Sequence, residues 1–211
     1  MVKYKVRTVG IHPQNPNPYE HRLEESPMAF GIPDYIFHDF TAVTPEFLTS
    51  LGVKLVVCDI DNTIAPYEMP DPDAVIEEWF AKMKAAGIKF VFVTNNTSER
   101  ADRFNKNLGL TVYPSAKKPL TMSLTRALKD AGLTPKDGAA FGDQIFTDIL
   151  AGQLRGLRTI LVPPIRDRKS LFWRTKRVLE RPLVAAYFKK HPDEALHNYW
   201  KEKAYFLKEN K

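Results

Sequence analysis

Two aspartates follow directly on an apolar run in the sequence VVCDIDNT, residues 56–63. The side chains of a strand alternate between its two sides, so Asp59 and Asp61 are expected to project in the same direction. Two like charges side by side at the end of a buried strand cost free energy unless a cation lies between them. The stretch therefore indicates a site in which negative charge has a purpose.

Polar side chains also follow later apolar stretches of the chain. Thr94 ends one of them, Lys117 and Lys118 come after another, and Asp143 ends a third, with Asp148 five residues on. Any one of these could be a surface residue, but ligands of an open parallel sheet bind beyond the carboxyl ends of its strands. Carboxylates beside a hydroxyl and an amine suit a hard cation next to a phosphate group.

The elements that must carry these side chains are strands alternating with helices from residue 53 onward. Apolar runs bounded by turn residues predict the strands, and helical spacing with N-caps such as Ser98 predicts the helices. The strands are predicted at 53–59, 88–94, 110–115, 138–143 and 158–164, and the helices at 72–87, 98–109, about 119–132 and 145–156. This alternation is typical of an α/β fold, a three-layer sandwich whose central parallel sheet is covered on both faces.

The two ends of the chain lie outside this alternation. Residues 1–30 are rich in proline and are predicted to form an extended arm, followed by one α/β domain over 31–165 and a basic helical extension over 166–211. Within the extension, residues 170–190 show an amphipathic helical pattern that Pro182 should break or kink. Its apolar face could pack on the domain or lie on an anionic membrane, and the pattern leaves both alternatives open.

The net charge of +6 on the 211 residues is concentrated in one window. Residues 155–181 contain nine basic and two acidic residues, which indicates either a solvated surface or an anionic partner such as lipid headgroups, nucleic acid or a phosphorylated substrate. The single cysteine, Cys58, excludes a disulfide framework and a cysteine-liganded metal site. No apolar run reaches the roughly 18 residues that span a bilayer. These features fit a cytoplasmic protein.

Four segments occur in a characteristic order: DIDNT after a hydrophobic strand, then VFVTNN, KKP and GDQIFTD. This set resembles the haloacid dehalogenase (HAD) superfamily of phosphotransferases, whose four motifs fall at these strand ends. The segments YIFHDFTAV, GDQIFTDILAG and TKRVLERP resemble the class IIIA branch of YqeG-like phosphatases, which is similar to the phosphatidylglycerophosphate phosphatases of bacteria and mitochondria. The resemblance covers roughly residues 30–183 and implies a HAD-type fold.

The resemblance implies a role for each matching residue. Asp59 would be the nucleophile that attacks phosphorus, and Asp61 would protonate the leaving oxygen and then activate water. Thr94 would hydrogen-bond the phosphoryl oxygens, and Lys118, rather than Lys117, would neutralise their charge. A carboxylate is a weak nucleophile toward an anionic phosphate, so a bound cation and a lysine must offset the repulsion.

The same resemblance implies Mg²⁺ as the cofactor. The ion would be held by Asp59, by the backbone carbonyl of Asp61 and by Asp143. Asp148 and Asn95 are expected to support these groups rather than to contact the metal.

The spacing between the motifs leaves no room for the inserted cap domain that HAD enzymes commonly carry. Thr63 and Thr94 are 31 positions apart, and Thr94 and Lys118 are 24 apart, distances that a turn, a helix and a strand already fill. An uncapped site can reach a phosphate on a large body such as a membrane, a protein or a polynucleotide. Small metabolites remain accessible if another subunit covers the site.

The resulting hypothesis is a Mg²⁺-dependent phosphatase that acts on phosphatidylglycerophosphate, with peripheral contact to anionic lipid on the inner face of the membrane. One alternative is a phosphatase for a protein, nucleotide or small-metabolite phosphate. Another is an RNA- or ribosome-associated binding protein that uses the basic tail. The complete motif set favours the enzyme, and the sequence lacks the aromatic and basic pattern of a recognised RNA-binding module.

Overall fold

Six parallel strands form the centre of the computed structural model, which describes residues 29–166 and 171–201. They are β1 Tyr35–Ile36, β2 Leu55–Cys58, β3 Lys89–Val93, β4 Thr111–Tyr113, β5 Gly138–Gly142 and β6 Arg158–Leu161. The strands lie in one sheet in the order β1-β6-β5-β2-β3-β4, and every neighbouring pair is parallel. The predicted arm lies outside the described residues up to position 28, as do residues 167–170 and 202–211 of the predicted extension.

Seven α-helices connect or follow the strands within the described ranges. They are α1 Pro45–Ser50, α2 Ala74–Ala85, α3 Ser98–Asn105, α4 Met122–Ala131, α5 Leu150–Arg155, α6 Leu171–Lys190 and α7 Glu194–Trp200. Three of these helices, α1, α2 and α7, have a side-chain N-cap. The N-cap residues Thr44, Asp73 and Asp193 each accept a hydrogen bond from a backbone N–H of the first turn. One turn of π-helix, Ile145–Ile149, leads from β5 into α5.

Side-chain alternation along β2 shows the two faces of the sheet. Val56 and Cys58 pack into one apolar cluster with residues of α1, α2 and α3, whereas Leu55 and Val57 pack into a second cluster with α4 and α5. Helices therefore cover both faces, and the predicted three-layer α/β sandwich is confirmed. The segments between Thr63 and Thr94 and between Thr94 and Lys118 contain α2 with β3 and α3 with β4, which leaves no inserted cap domain.

A third apolar cluster lies where α6 and α7 cover the edge of the sheet. Val184, Tyr187 and Trp200 are buried there with Ile36 of β1 and Leu161 of β6. The Tyr187 hydroxyl accepts a hydrogen bond from the N–H of Ile36 at 3.3 Å. One side of the predicted amphipathic helix therefore packs on the sheet. No helix within the described ranges has the length and apolar character needed to cross a membrane.

Some local predictions differ from the structure. Strand β1 was not predicted, because two residues are too few to show an alternating pattern. Ser98 is the first residue of α3 rather than its N-cap, a position that Thr97 takes without a capping hydrogen bond from its side chain. Helix α6 continues through Pro182, where a break was one of the expected outcomes. The part of α6 that follows Pro182 packs into the third apolar cluster. The free energy gained by this packing offsets the loss of the backbone hydrogen bond that proline cannot donate.

Candidate active site

A tight turn directly after β2 carries both aspartates of the DIDNT segment. Asn62 has a φ of 67°, in the left-handed region that asparagine tolerates better than most residues. Its N–H donates to the carbonyl of Ala65 at 2.7 Å, and its side-chain amide donates to the carbonyl of Arg166 at 3.0 Å. The turn is thereby tied to the segment after β6, which fixes where Asp59 and Asp61 lie.

Lys118 lies buried between two carboxylates. Its Nζ atom lies 2.8 Å from Oδ1 of Asp59 and 2.6 Å from Oδ1 of Asp148, and it also donates to the carbonyl of Val93 at 2.6 Å. Burial acts to lower the pKa of this amine, but Asp148 and Asp59 outweigh that effect and raise it. Lys118 is therefore a permanent cation of the site.

The position of Lys118 is set by its neighbour across the loop. Asn95 accepts a hydrogen bond from the N–H of Lys118 at 2.6 Å and donates one to its carbonyl at 3.2 Å. Lys117 has a φ of 55° and an exposed side chain. The structure thus brings Lys118, and not Lys117, to the carboxylates, and Asn95 contacts the backbone of Lys118 rather than the carboxylates.

Asp143, at the end of β5, is completely buried and is held by α6. Arg177 donates to the carbonyl of Asp143 at 2.5 Å, and its second terminal nitrogen contacts Oδ2 of the Asp143 carboxylate. The same guanidinium group lies 2.9 Å from Glu180, whose other oxygen accepts the N–H of Ile145 at 2.8 Å. A buried chain of charged groups therefore links α6 to the carboxyl end of β5.

Three buried carboxylates form a cluster that can hold a cation. Asp59, Asp143 and Asp148 each offer an oxygen, and these oxygens lie within 4.8 Å of one another. Burial raises the pKa of Asp59 to about 8, although Lys118 opposes the rise, and burial also raises the pKa of Asp143 against the opposing charge of Arg177. The cluster therefore lacks enough positive charge of its own to keep these groups ionised.

Counting formal charges leads to the same conclusion. Within the described residues, two cations contact the three clustered aspartates: Lys118 contacts Asp59 and Asp148, and Arg177 contacts Asp143. With all three aspartates ionised, these contacts leave an excess of negative charge in the cluster. Hard oxygen ligands with an excess of negative charge fit a divalent cation such as Mg²⁺.

Asp61 lies beside this cluster and has its own partners. One oxygen accepts the side-chain amide of Asn96 at 3.0 Å, and the other lies 3.2 Å from Arg100 of α3. Thr94 is buried, and its hydroxyl accepts the N–H of Asn96 at 3.0 Å. Asn96 therefore connects the predicted acid–base group to the predicted phosphate-binding hydroxyl.

A cavity of about 340 Å³ opens over these residues. The predicted residues Asp59, Asp61, Thr94, Lys118 and Asp148 line it, whereas Asp143 lies behind the cavity wall and is not among its lining residues. Gln144 and Thr147 of the GDQIFTD segment line it as well, and Tyr67, Trp173 and Lys176 line it from outside the four segments. The C-terminal helix α6 thus contributes to the wall of the site.

Sequence reasoning did not find Arg100, Arg177 or Glu180 as residues of the site. All three lie on helices, and nothing in a helical pattern indicates which charged residue folds back onto a distant strand end. One signal was present, because Arg177 and Glu180 both belong to the segment TKRVLERP that contributes to the family resemblance.

We expect Gly142→Ala to lower kcat/KM for an aryl phosphate by about 100-fold, the scale of an effect from a displacement of roughly 1 Å. A Cβ atom at Gly142 would lie 2.3 Å from Cβ and Cγ of Asp148, which must then move away from Lys118. Gly138→Ala is the matched control, because its Cβ would crowd Leu157 at the opposite end of the same strand. Equal losses of activity in the two variants would contradict the proposed role of Asp148.

The chain is similar to several known proteins. A model of the haloacid dehalogenase-like hydrolase family matches residues 39–154. The chain is 34% identical to Probable phosphatase YqeG of Bacillus subtilis over 82% of this chain and 98% of that protein. It is 27% identical to phosphatidylglycerophosphate phosphatase 1, chloroplastic/mitochondrial, of Arabidopsis thaliana over 76% of this chain and about half, 49%, of that protein. A subfamily III A HAD hydrolase structure from Legionella pneumophila is 18% identical, with a TM-score of 0.44 over 75% of this chain and 95% of that chain.

Proposed function

The chain belongs to the haloacid dehalogenase-like hydrolases and is a phosphatase, and on that premise we propose that it hydrolyses phosphate monoesters through an aspartyl phosphate on Asp59. The observation that carries the proposal is the buried contact of Lys118 with Asp59 at 2.8 Å, next to Asp143 and Asp148. This arrangement puts a nucleophilic oxygen, a fixed cation and a cation-binding cluster in one place.

The proposed reaction has two steps. An oxygen of Asp59 attacks phosphorus, the ester P–O bond breaks, and Asp61 gives a proton to the leaving oxygen. Asp61 then takes a proton from a water molecule as that water attacks phosphorus, the bond between Asp59 and phosphorus breaks, and phosphate leaves. Throughout, the hydroxyl of Thr94 and the ammonium group of Lys118 hold the phosphoryl oxygens, because phosphoryl transfer depends mainly on positioning and charge stabilisation.

The metal ligands are proposed to be Asp59, Asp143 and the backbone carbonyl of Asp61, with Mg²⁺ as the ion. When bound, the cation offsets the repulsion between the Asp59 carboxylate and the anionic phosphate. Asp148 has a carboxylate within reach of the same cluster, but its contact with Lys118 at 2.6 Å supports a role in orienting that amine.

Mg²⁺ binding should tighten as the pH rises toward about 8 and then level off. Burial raises the pKa of Asp59 to about 8, so below that pH the carboxyl group is largely protonated and must release its proton to bind a cation. Affinity should change by up to about tenfold per pH unit below the pKa. Calorimetry in two buffers of different ionisation enthalpy measures the released proton. Asp59→Asn should weaken this pH dependence without removing it, because burial also raises the pKa of Asp143. Binding of Mg²⁺ by the wild type that does not change with pH would contradict this assignment.

Asp61→Asn should slow both steps of the reaction, since one residue serves first as acid and then as base. An activated ester, whose leaving group needs no proton, should largely recover the first step and leave the second one slow. Rapid-quench kinetics with an alkyl phosphate and with an activated aryl phosphate separate the two effects. Equal slowing of the first step for both esters would mean that Asp61 has another role.

We propose a phospholipid headgroup, phosphatidylglycerophosphate, as the substrate. The similarity to the Arabidopsis phosphatase of that name supports this choice, as does the absence of an inserted cap domain from the described residues. Trp173 and Lys176 of α6 line the cavity, and Val178 and Leu179 of the same helix are 46% and 58% exposed. A helix that combines a site-lining cation with exposed apolar residues is suited to a lipid surface.

The substrate proposal is tested by phosphate release from phosphatidylglycerophosphate in anionic vesicles, compared with a water-soluble aryl phosphate. A variant with Arg174, Lys189 and Lys190 changed to Glu alters only exposed residues of α6. It should raise KM for the lipid and leave KM for the aryl phosphate unchanged, because basic residues add about 1 kcal/mol each near an anionic surface. Wild-type protein that neither binds vesicles at low salt nor hydrolyses the lipid would favour a protein, nucleotide or small-metabolite phosphate.

A further inference from the structure

A buried ion pair on α6 has no role in the proposed reaction. Arg177 and Glu180 are three residues apart, so they lie on the same side of the helix. Arg177 is 9% exposed and Glu180 is completely buried, although both types of residue are rarely buried unless paired. They occur in the segment TKRVLERP, which contributed to the family resemblance without a function being attached to it.

The guanidinium group of Arg177 engages Asp143 in two ways. One nitrogen donates to the backbone carbonyl of Asp143 at 2.5 Å, and the other contacts Oδ2 of its carboxylate. The nitrogen that donates to the Asp143 carbonyl also donates to Glu180 at 2.9 Å, and the other oxygen of Glu180 accepts the N–H of Ile145 at 2.8 Å. Because a guanidinium group is planar, these contacts restrict the rotation of the Asp143 carboxylate.

The two oxygens of Asp143 therefore have different surroundings. Oδ2 is taken by Arg177, whereas the contacts of Oδ1 with the described part of the chain are long, at 3.4 Å to the hydroxyl of Thr63 and 3.4 Å to the side-chain amide of Gln144. The same hydroxyl lies 3.3 Å from Oδ2 of Asp59. Oδ1 of Asp143 is thus the oxygen turned toward Asp59 and toward the proposed cation.

We infer that Arg177, held by Glu180, is a positioning residue for the cation site: it fixes the Asp143 carboxylate with Oδ1 directed at Asp59 before the cation arrives. This inference rests on the proposed function, in which Asp143 is a metal ligand. Residues that hydrogen-bond a metal ligand and so fix its orientation typically contribute a factor of about 10 to 100 to metal affinity. The helix α6 thereby becomes part of the metal site although it supplies no ligand.

Mn²⁺ binding to the full-length protein, followed by electron paramagnetic resonance, tests this inference without relying on activity. Arg177→Gln should weaken Mn²⁺ binding by about 10- to 100-fold. Glu180→Gln keeps an acceptor for the N–H of Ile145 and removes only the charge, so it should weaken binding less. Arg174→Gln, an exposed arginine of the same helix, should bind as the wild type does. Thermal melting without metal shows separately how far each variant is destabilised.

The possible results of this Mn²⁺-binding experiment distinguish a failure of the inference from a failure of the proposed function on which it rests. If wild-type protein binds no Mn²⁺, the proposed cation site fails. If wild type binds Mn²⁺ and folded Arg177→Gln binds it equally well, Arg177 only attaches α6 to the sheet and the inference is overturned. Tighter binding by Arg177→Gln would overturn it as well, because Arg177 would then compete with the cation for Asp143. Should Arg177→Gln fail to fold, unchanged Mn²⁺ affinity in Glu180→Gln is the overturning result.

Discussion

Replacing Asp59 by asparagine should abolish phosphatase activity, with a loss of roughly 10⁴-fold or more in kcat for an aryl phosphate, as is typical when an enzyme's nucleophile is removed. The amide cannot form the aspartyl phosphate, and it supplies a poorer ligand for the proposed cation. Steady-state phosphate release measures the loss. Asp102→Asn, at an exposed position of α3, is the matched control and should retain full activity. Turnover by Asp59→Asn within tenfold of wild type would contradict the assignment of the nucleophile.

The same variant should remain folded, which distinguishes a chemical effect from a structural one. Burial raises the pKa of Asp59 to about 8, so in the absence of metal the folded protein disfavours the charged form near neutral pH. Asparagine removes that charge with little change in shape. We therefore expect metal-free Asp59→Asn to melt at or above the wild-type temperature. A markedly lower melting temperature would mean that Asp59 is also needed for stability.

A chain that ends at residue 166 should fail to fold cooperatively. It would lose α6 and α7, which bury Val184, Tyr187, Phe188 and Trp200 against the sheet edge. Burial of a large apolar side chain contributes about 1.5–3 kcal/mol, so these four together approach the 5–15 kcal/mol that stabilises a typical domain. The truncation also removes Arg177 from Asp143. Circular dichroism and thermal melting are the direct measurements.

A chain that ends at residue 201 is the control for this truncation, because it retains α6 and α7 in full. It should show a sharp thermal transition, whereas the shorter chain should show none. A sharp transition of the shorter chain within a few degrees of full length would show that residues 31–165 form a self-sufficient domain. In that case α6 and α7 would be an appendage, and their contacts with the sheet would matter little for stability.

The sequence predicted those features of the fold and of the site that depend on the local pattern of apolar and polar residues. The run that ends in Val56, Val57 and Cys58 alternates between two buried faces, and the chain position of Asp59 and Asp61 follows from that strand. The order of strands and helices then required a parallel sheet, and a parallel sheet brings its carboxyl ends together. In the structure those ends do meet, which is why Asp59, Asp61 and Lys118 line one cavity.

Contacts between distant segments could not be predicted in the same way. Arg177 meets Asp143 only because α6 packs across the sheet edge, and the sequence left the destination of that helix open between the domain and a membrane. Its apolar residues in fact divide between two surfaces, with Tyr187 buried against β1 and β6 and Leu179 exposed. A hydrophobic pattern records that a side chain can be buried, but not which surface will bury it.

The central claim, an aspartyl phosphate on Asp59, is tested most directly by trapping the intermediate. Protein mixed with substrate and Mg²⁺ and quenched in acid should contain a phosphorylated peptide that includes residues 56–63, and fragmentation should place the phosphate on Asp59. With an activated aryl phosphate as substrate, Asp61→Asn should accumulate more of this species, because its second step is slow. Continued turnover with no phosphate on Asp59, or with phosphate on a different residue, would contradict the account.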